Sequence, residues 1–141
     1  MDLAGARRMF GGLPVVWVAT VSPDGAPHVV PLWFVWPEDA LYVSTRREGR
    51  TWRNASADPR VSVTIDLGRS WAEIVGLSVD GLAEPLPAEH ASIRAPISAW
   101  HEKYRSLLSG EGFARFAEEV RGLGFLRVEA THVVGWDHAR E

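Results

Sequence analysis

The stretch from Leu41 to Asp66, LYVSTRREGRTWRNASADPRVSVTID, constrains this chain more than any other. It reads as strand, basic loop, short helix, turn and strand. Between Arg46 and Arg60 it holds Arg46, Arg47, Arg50, Arg53 and Arg60 against only Glu48 and Asp58, a local net charge of +3 in a chain whose formal net charge is -3. The helix is expected over about 49–57, ended at Asp58-Pro59 because the residue before a proline avoids the α region. Residues 60–67 then alternate: Val61, Val63 and Ile65 on one face, Ser62, Thr64 and Asp66 on the other. Guanidinium groups gathered where a helix begins suit an anion, because the first N–H groups and the helix dipole supply half of a phosphate site. A solvated basic turn is the plainer alternative.

The flanking segments are β-rich. Val15–Ser22 is apolar and β-branched, Pro23-Asp24-Gly25 has the residues of a tight turn, and residues 26–36 form the returning strand of a hairpin. Pro31 cannot donate a ladder hydrogen bond, so it requires an edge position, a bulge or a neighbour other than a strand. A third strand is expected over 40–45. Residues 71–84 read as a long strand bent at Gly76 or Gly81, and 124–130 and 132–136 as two final strand segments. Helices are expected over 2–10, over 88–106 with an interruption near Pro96, and over 112–121. Hairpins without βαβ units imply a single mainly β (α+β) domain over 1–141, a barrel rather than a doubly wound sheet.

Several chemistries are excluded. The chain has no cysteine, hence no disulfide, thiolate metal site or thiol nucleophile. His28, His90, His101, His132 and His138 form no HxH or HExxH set, so no protein-ligated metal is expected. GxGxxG, GxxxxGK[ST] and GxSxG are all missing. No apolar run approaches a membrane span, no long apolar run follows the Arg7-Arg8 pair, so no signal peptide is expected, and the expected location is cytoplasmic. The mild net acidity argues against nucleic acid as a partner. What is left is an anion site on a β scaffold with no obvious catalytic side chain, the pattern of a protein whose cofactor carries the chemistry.

The ordered motifs T-x-x-x-D-G-x-P-H (Thr20 to His28), P-x-W-F (Pro31 to Phe34), S-T-R (Ser44 to Arg46) and N-x-x-x-D-P-R-V (Asn54 to Val61) resemble the pyridoxamine-5′-phosphate-oxidase-like superfamily. The resemblance spans about residues 10–87, and FLRVEATHVVGWDH is similar to that family's closing strand. It implies a six- to seven-stranded antiparallel split β-barrel with a few short helices, acting as a homodimer with FMN or the deazaflavin F420 bound at the subunit interface. By position, His28, Val29, Val30, Pro31, Leu32 and Trp33 would line the ring. Ser44, Thr45, Arg46, Arg50 and Thr51 would surround the phosphate or the start of the cofactor tail, with Arg53 and Asn54 on the helix that follows. One departure is Thr51, where the family often has a basic residue.

The function implied is hydride transfer between the bound cofactor and a small organic substrate, with no side chain acting as nucleophile. Trp33, Trp36, Trp52 and Trp71 are candidates for pocket walls, core or dimer packing, and Tyr104 or water for substrate protonation. The Arg-rich composition, with Lys103 the single lysine, resembles the deazaflavin branch, with FMN the close second. The alternatives are a carrier barrel that holds flavin, F420 or haem without turnover, or a split barrel without cofactor.

Overall fold

In a computed structural model, residues 2–37, 40–107 and 122–140 are described. Seven strands make one antiparallel sheet: β1 (Val16–Val21), β2 (Pro27–Leu32), β3 (Phe34–Val35), β4 (Leu41–Arg46), β5 (Arg60–Leu67), β6 (Val75–Pro87) and β7 (Leu123–Asp137). Their order is β2-β1-β5-β6-β7-β4-β3. The strands at the two ends of that order, β2 and β3, are consecutive in the chain, with only Trp33 between them. The chain therefore bridges the two edges of its own sheet and curls it into a split barrel. Residues 26–36 are thus two strands rather than one. The break falls at Trp33, whose carbonyl oxygen accepts the Ser44 N–H at 2.9 Å. Pro27 and Pro31 lie on β2, an end strand, where a missing donor leaves no internal partner unsatisfied.

The register explains the core. Val30, Val18, Val63, Val79 and Val133 stand opposite one another across five strands, and opposed residues share a face. Val18, Val63 and Val79 in this row are buried. Around it pack Val16, Ile65, Leu77 and Val128, with Phe10 and Ala6 from helix α1 (Leu3–Phe10). The expected bend in β6 occurs at Gly81. The register slips between Asp80 and Gly81, where Asp80 faces His132 but Gly81 faces Ala130. Thr131 is the extra residue of a β-bulge within a continuous β7. A Cβ on Gly81 would lie 2.5 Å from the Glu129 carbonyl oxygen, so glycine permits this close approach.

Two helices close the barrel on different sides. Helix α2 (Arg50–Ala57) packs against β1, β4 and β6. Helix α3 (Arg94–Tyr104) packs against β3 and builds a second cluster with Val35, Tyr42, Leu86, Ile93, Trp100, Tyr104 and Phe125. Pro96 does not interrupt α3. With Ile93 as N-cap it occupies the first turn, whose N–H groups have no intrahelical partner to lose. Trp71 lies in a 3₁₀ turn (Trp71–Glu73) before β6 rather than in a strand. The helix expected over 112–121 lies outside the described residues.

Candidate functional site

The site is built where α2 meets the β1–β2 hairpin. Arg50 is the first residue of α2, and Asn54 follows one turn later on the same side. Asn54 Nδ2 donates to Thr20 Oγ1 at 3.1 Å, and Arg50 Nη2 donates to Ser22 Oγ at 3.1 Å. Thr20 and Ser22 are two residues apart and share a face of the hairpin arm. Asn54 and Thr20 are only 3% and 4% exposed, whereas the Arg50–Ser22 contact is at the surface. His28 stands opposite Thr20 in the β1–β2 ladder and is half-buried on that same face.

The charge balance is uneven. Arg47 pairs with Glu89 at 3.2 Å, Arg60 with Asp58 at 2.7 Å and Arg140 with Asp137 at 3.2 Å. The Asp58 carboxyl is held at about 2 by hydrogen bonds from Arg60. Arg50 and Arg53, by contrast, bond to neutral oxygens, the Ser22 hydroxyl and the Glu48 carbonyl. Neither has an acidic partner among the described residues. The N-cap of α2 is Gly49, which offers no side chain to the first-turn N–H groups. Two uncompensated guanidinium groups beside uncapped helix N–H groups leave this end of the barrel able to accept an anion.

The residues expected at the site fall into three settings. Arg50, Arg53, Thr51 and His28 belong to the α2 side. Thr51 lies with Asn54 and Ala55 on the buried face of α2, which gives a reason for a short hydroxyl side chain where a long cation would have to be desolvated. Val30 and Leu32 are half-buried on the inward face of β2, and Val29 and Pro31 are exposed on the outward one. Ser44 and Trp33 belong to the α3 side instead. The Ser44 hydroxyl donates to the Trp33 carbonyl at 3.2 Å and accepts from Trp100 Nε1 at 3.1 Å. Trp33 stacks on Tyr104 with centroids 4.1 Å apart. Thr45 is buried one residue further along β4, on the opposite face from Ser44, and Arg46 is exposed at the strand end. Local sequence does not mark Thr20 and Ser22, which hold the helix: Thr20 opens the T-x-x-x-D-G-x-P-H motif, but nothing local ties a strand hydroxyl to an asparagine 34 residues away.

The candidate wall tryptophans do not form one wall. Trp36 and Trp52 pack against the barrel core, and Trp71 is 76% exposed beside His138. The outward face of the sheet mixes exposed apolar and polar side chains. Pro31, Trp17, Thr64, Ser78 and Val134 form one row, and Val29, Ala19, Ser62, Asp80 and His132 the next. Trp17 is 48% and Val29 58% exposed, with Leu82 and Val134 similar. A groove of about 670 Å³ runs over this face, lined by Ala19 and Val21 together with Arg60, Ser62, Asp80 and Leu82. Among the described residues no group of three or more His, Asp or Glu could hold a metal ion. None of the described helices is long and apolar enough to cross a membrane.

A seven-stranded antiparallel barrel whose two edge strands run on from each other, with one helix capping each side, defines the split-barrel class. The family model described as Pyridoxamine 5′-phosphate oxidase matches residues 5–137, and the chain belongs to that family. No curated protein matches the sequence. Among solved structures it is similar to the conserved hypothetical protein Rv2991 from Mycobacterium tuberculosis, with a TM-score of 0.79, 24% identity, and coverage of 98% of this chain and 86% of that one. An FAD-binding protein from Mesorhizobium loti aligns with a TM-score of 0.74 and 22% identity over 96% of this chain and 92% of the other. An F420 reductase aligns with a TM-score of 0.68 and 23% identity over 91% and 94%. At such identities the shared property is the fold.

Proposed function

We propose that this protein binds a phosphate-bearing flavin-type cofactor, F420 or FMN, between two copies of the chain and serves as an oxidoreductase for a small organic substrate. The observation that carries the reading is Arg50: a surface guanidinium held on a hydroxyl rather than a carboxylate, at the uncapped start of α2. That donor set suits a phosphate, and the family and the fold suit a flavin-type ring. The cofactor supplies the hydride chemistry when bound.

The chain's own residues bind and orient. Arg50, Arg53 and the first N–H groups of α2 hold the anionic part, with the Thr45 and Thr51 hydroxyls behind them and Ser44 tied to the α3 side. His28 and the backbone of Val29, Val30, Pro31, Leu32 and Trp33 form the flank along which the ring lies. The outward face of β1, β2, β6 and β7, with Trp17, Val29, Leu82 and Val134 exposed on it, is the surface for the second copy, which excludes water from the ring. F420 is the leading cofactor, because the Arg-rich sequence with a single lysine resembles the deazaflavin branch.

Titration of the purified protein with FMN and with F420, followed by fluorescence, tests the reading. Micromolar or tighter binding of one of them, with sedimentation as a dimer, is the expected result. Binding of neither, or a monomer at micromolar concentration that still binds, overturns the interface cofactor site.

A further inference from the structure

We infer that Asn54 is a positioning residue, which sets Arg50 for an anion through the buried Asn54–Thr20 hydrogen bond without touching the ligand itself. The inference deepens the cofactor reading above and rests on it. Its basis is a match of two periodicities. Arg50 and Asn54 are one turn apart on α2, about 6 Å along the axis. Thr20 and Ser22 are two residues apart on the hairpin arm, about 7 Å. The helix and the arm are therefore joined by two parallel rungs of nearly equal spacing, Asn54–Thr20 and Arg50–Ser22.

The rungs differ in chemistry. The inner one joins two neutral groups almost wholly removed from water, where a hydrogen bond is hard to exchange for solvent. The outer one is exposed and joins a full positive charge to a neutral hydroxyl, with distances of 3.1 and 3.4 Å. A phosphate oxygen is a better acceptor for a guanidinium than a serine hydroxyl, so Arg50 can exchange Ser22 for the anion at little loss. Asn54 cannot exchange in this way, because Thr20 offers it a buried partner that water does not reach. The inner rung fixes the helix on β1, and the outer one keeps the arginine extended along the hairpin arm until an anion replaces the serine.

Four variants test this: Arg50→Ala, Asn54→Ala, Thr20→Val, which removes the hydroxyl, and Thr20→Ser, which keeps it. Affinity for FMN and F420 is measured by fluorescence at a temperature where near-UV circular dichroism shows each variant folded. Order of the Arg50 Nε–H is measured separately by ¹⁵N NMR on cofactor-free protein. Asn54→Ala and Thr20→Val are expected to weaken binding about three- to tenfold, and Thr20→Ser to retain it. Asn54→Ala in an Arg50→Ala background is expected to add nothing, which a merely structural role would not produce. Cofactor-free Arg50 is expected to lose order in Asn54→Ala and Thr20→Val. Unchanged affinity and unchanged Arg50 order in those two variants overturn the positioning role while leaving the cofactor site standing. Equal losses in the presence and absence of Arg50 overturn it as well. If wild-type protein binds neither cofactor but Arg50 order still depends on Asn54, the cofactor reading falls and the positioning of Arg50 stands.

Discussion

The two helices that close this barrel meet it in opposite ways. On the α3 side the polar atoms that hold the helix have partners inside the protein. The Tyr104 hydroxyl accepts the Phe34 N–H at 2.8 Å and lies 2.8 Å from the Pro14 carbonyl oxygen, to which it donates. Trp100, Ser44 and the Trp33 carbonyl form a chain of two hydrogen bonds. Lys103 Nζ donates to the Phe34 carbonyl at 2.9 Å and stands 3.5 Å over the Phe34 ring. On the α2 side, the buried Asn54–Thr20 pair is satisfied, but Arg50 and Arg53 have neutral partners and the helix start has no side-chain cap. At α3 even the Lys103 charge is engaged from inside by a carbonyl and a ring, whereas at α2 Arg50 is held only by a surface hydroxyl that an anion can replace. A saturated aromatic interface is a device for stability; an undersatisfied cationic one is a device for binding.

The largest test of this contrast is Trp100→Ala. Trp100 is fully buried against Trp33, Tyr104 and Phe125, and truncating such a side chain costs about 3–5 kcal/mol. Denaturant unfolding should show that loss, while cofactor affinity of the folded fraction changes little. If the α3 side is instead part of the binding machinery, affinity will fall along with stability.

Arg50→Ala is the complementary test, with a smaller effect in a different observable. Removing one charge-assisted contact should weaken cofactor binding by about 1.5–3 kcal/mol, and unfolding free energy should move by less than about 0.5 kcal/mol, as for a surface substitution. Unchanged affinity would remove the phosphate assignment from α2. A large loss of stability would show that the Arg50–Ser22 rung is structural, and the two sides of the barrel would then be alike.

The contrast also separates what can be read in the sequence from what cannot. The α2 side is largely legible because its signals are local: five arginines in fifteen residues, a helix stopped at Asp58-Pro59, a turn at Pro23-Asp24-Gly25 and the alternation of β5. The α3 side is not, because its bonds join residues 56 to 90 apart in the chain, as in Trp100–Ser44 and Tyr104–Pro14, and no local pattern encodes them. The same limit explains the strand read across Trp33. Its composition is uniformly β, and only the distant partners Ser44 and Tyr104 mark the point where one sheet edge ends and the other begins. Pro96 misleads for a different reason: a proline breaks a helix interior but not a first turn, and the helix start lacks a side-chain cap to announce it. Within the site, the arginines were visible and their anchors were not, since Thr20 and Ser22 look like ordinary residues of a hairpin.

The smallest expected effect is the pH dependence of the α3 clamp, and its sign follows from two shifts. Burial pushes the Lys103 ammonium down to about 8 from 10.5. Between those values the unfolded chain holds more protons than the folded one, so stability rises with pH across that window. Burial pushes the Tyr104 phenol up to about 12 from 10.0, against an opposing pull from its bond to Phe34. Above pH 10 the folded chain keeps a proton that the unfolded chain releases, so this contribution is lost as pH rises toward 12. Together they place a local maximum of stability near pH 10. Lys103 is half-buried and Tyr104 buried, and each limb amounts to on the order of 1 kcal/mol. Urea unfolding of wild type, Lys103→Met and Tyr104→Phe from pH 7 to 11.5 resolves the limbs. Lys103→Met should flatten the rise and leave the fall, and Tyr104→Phe should do the reverse. Profiles that run parallel to wild type in both variants would mean that neither group is desolvated by α3, and the saturated interface would lose its electrostatic part while keeping its aromatic one.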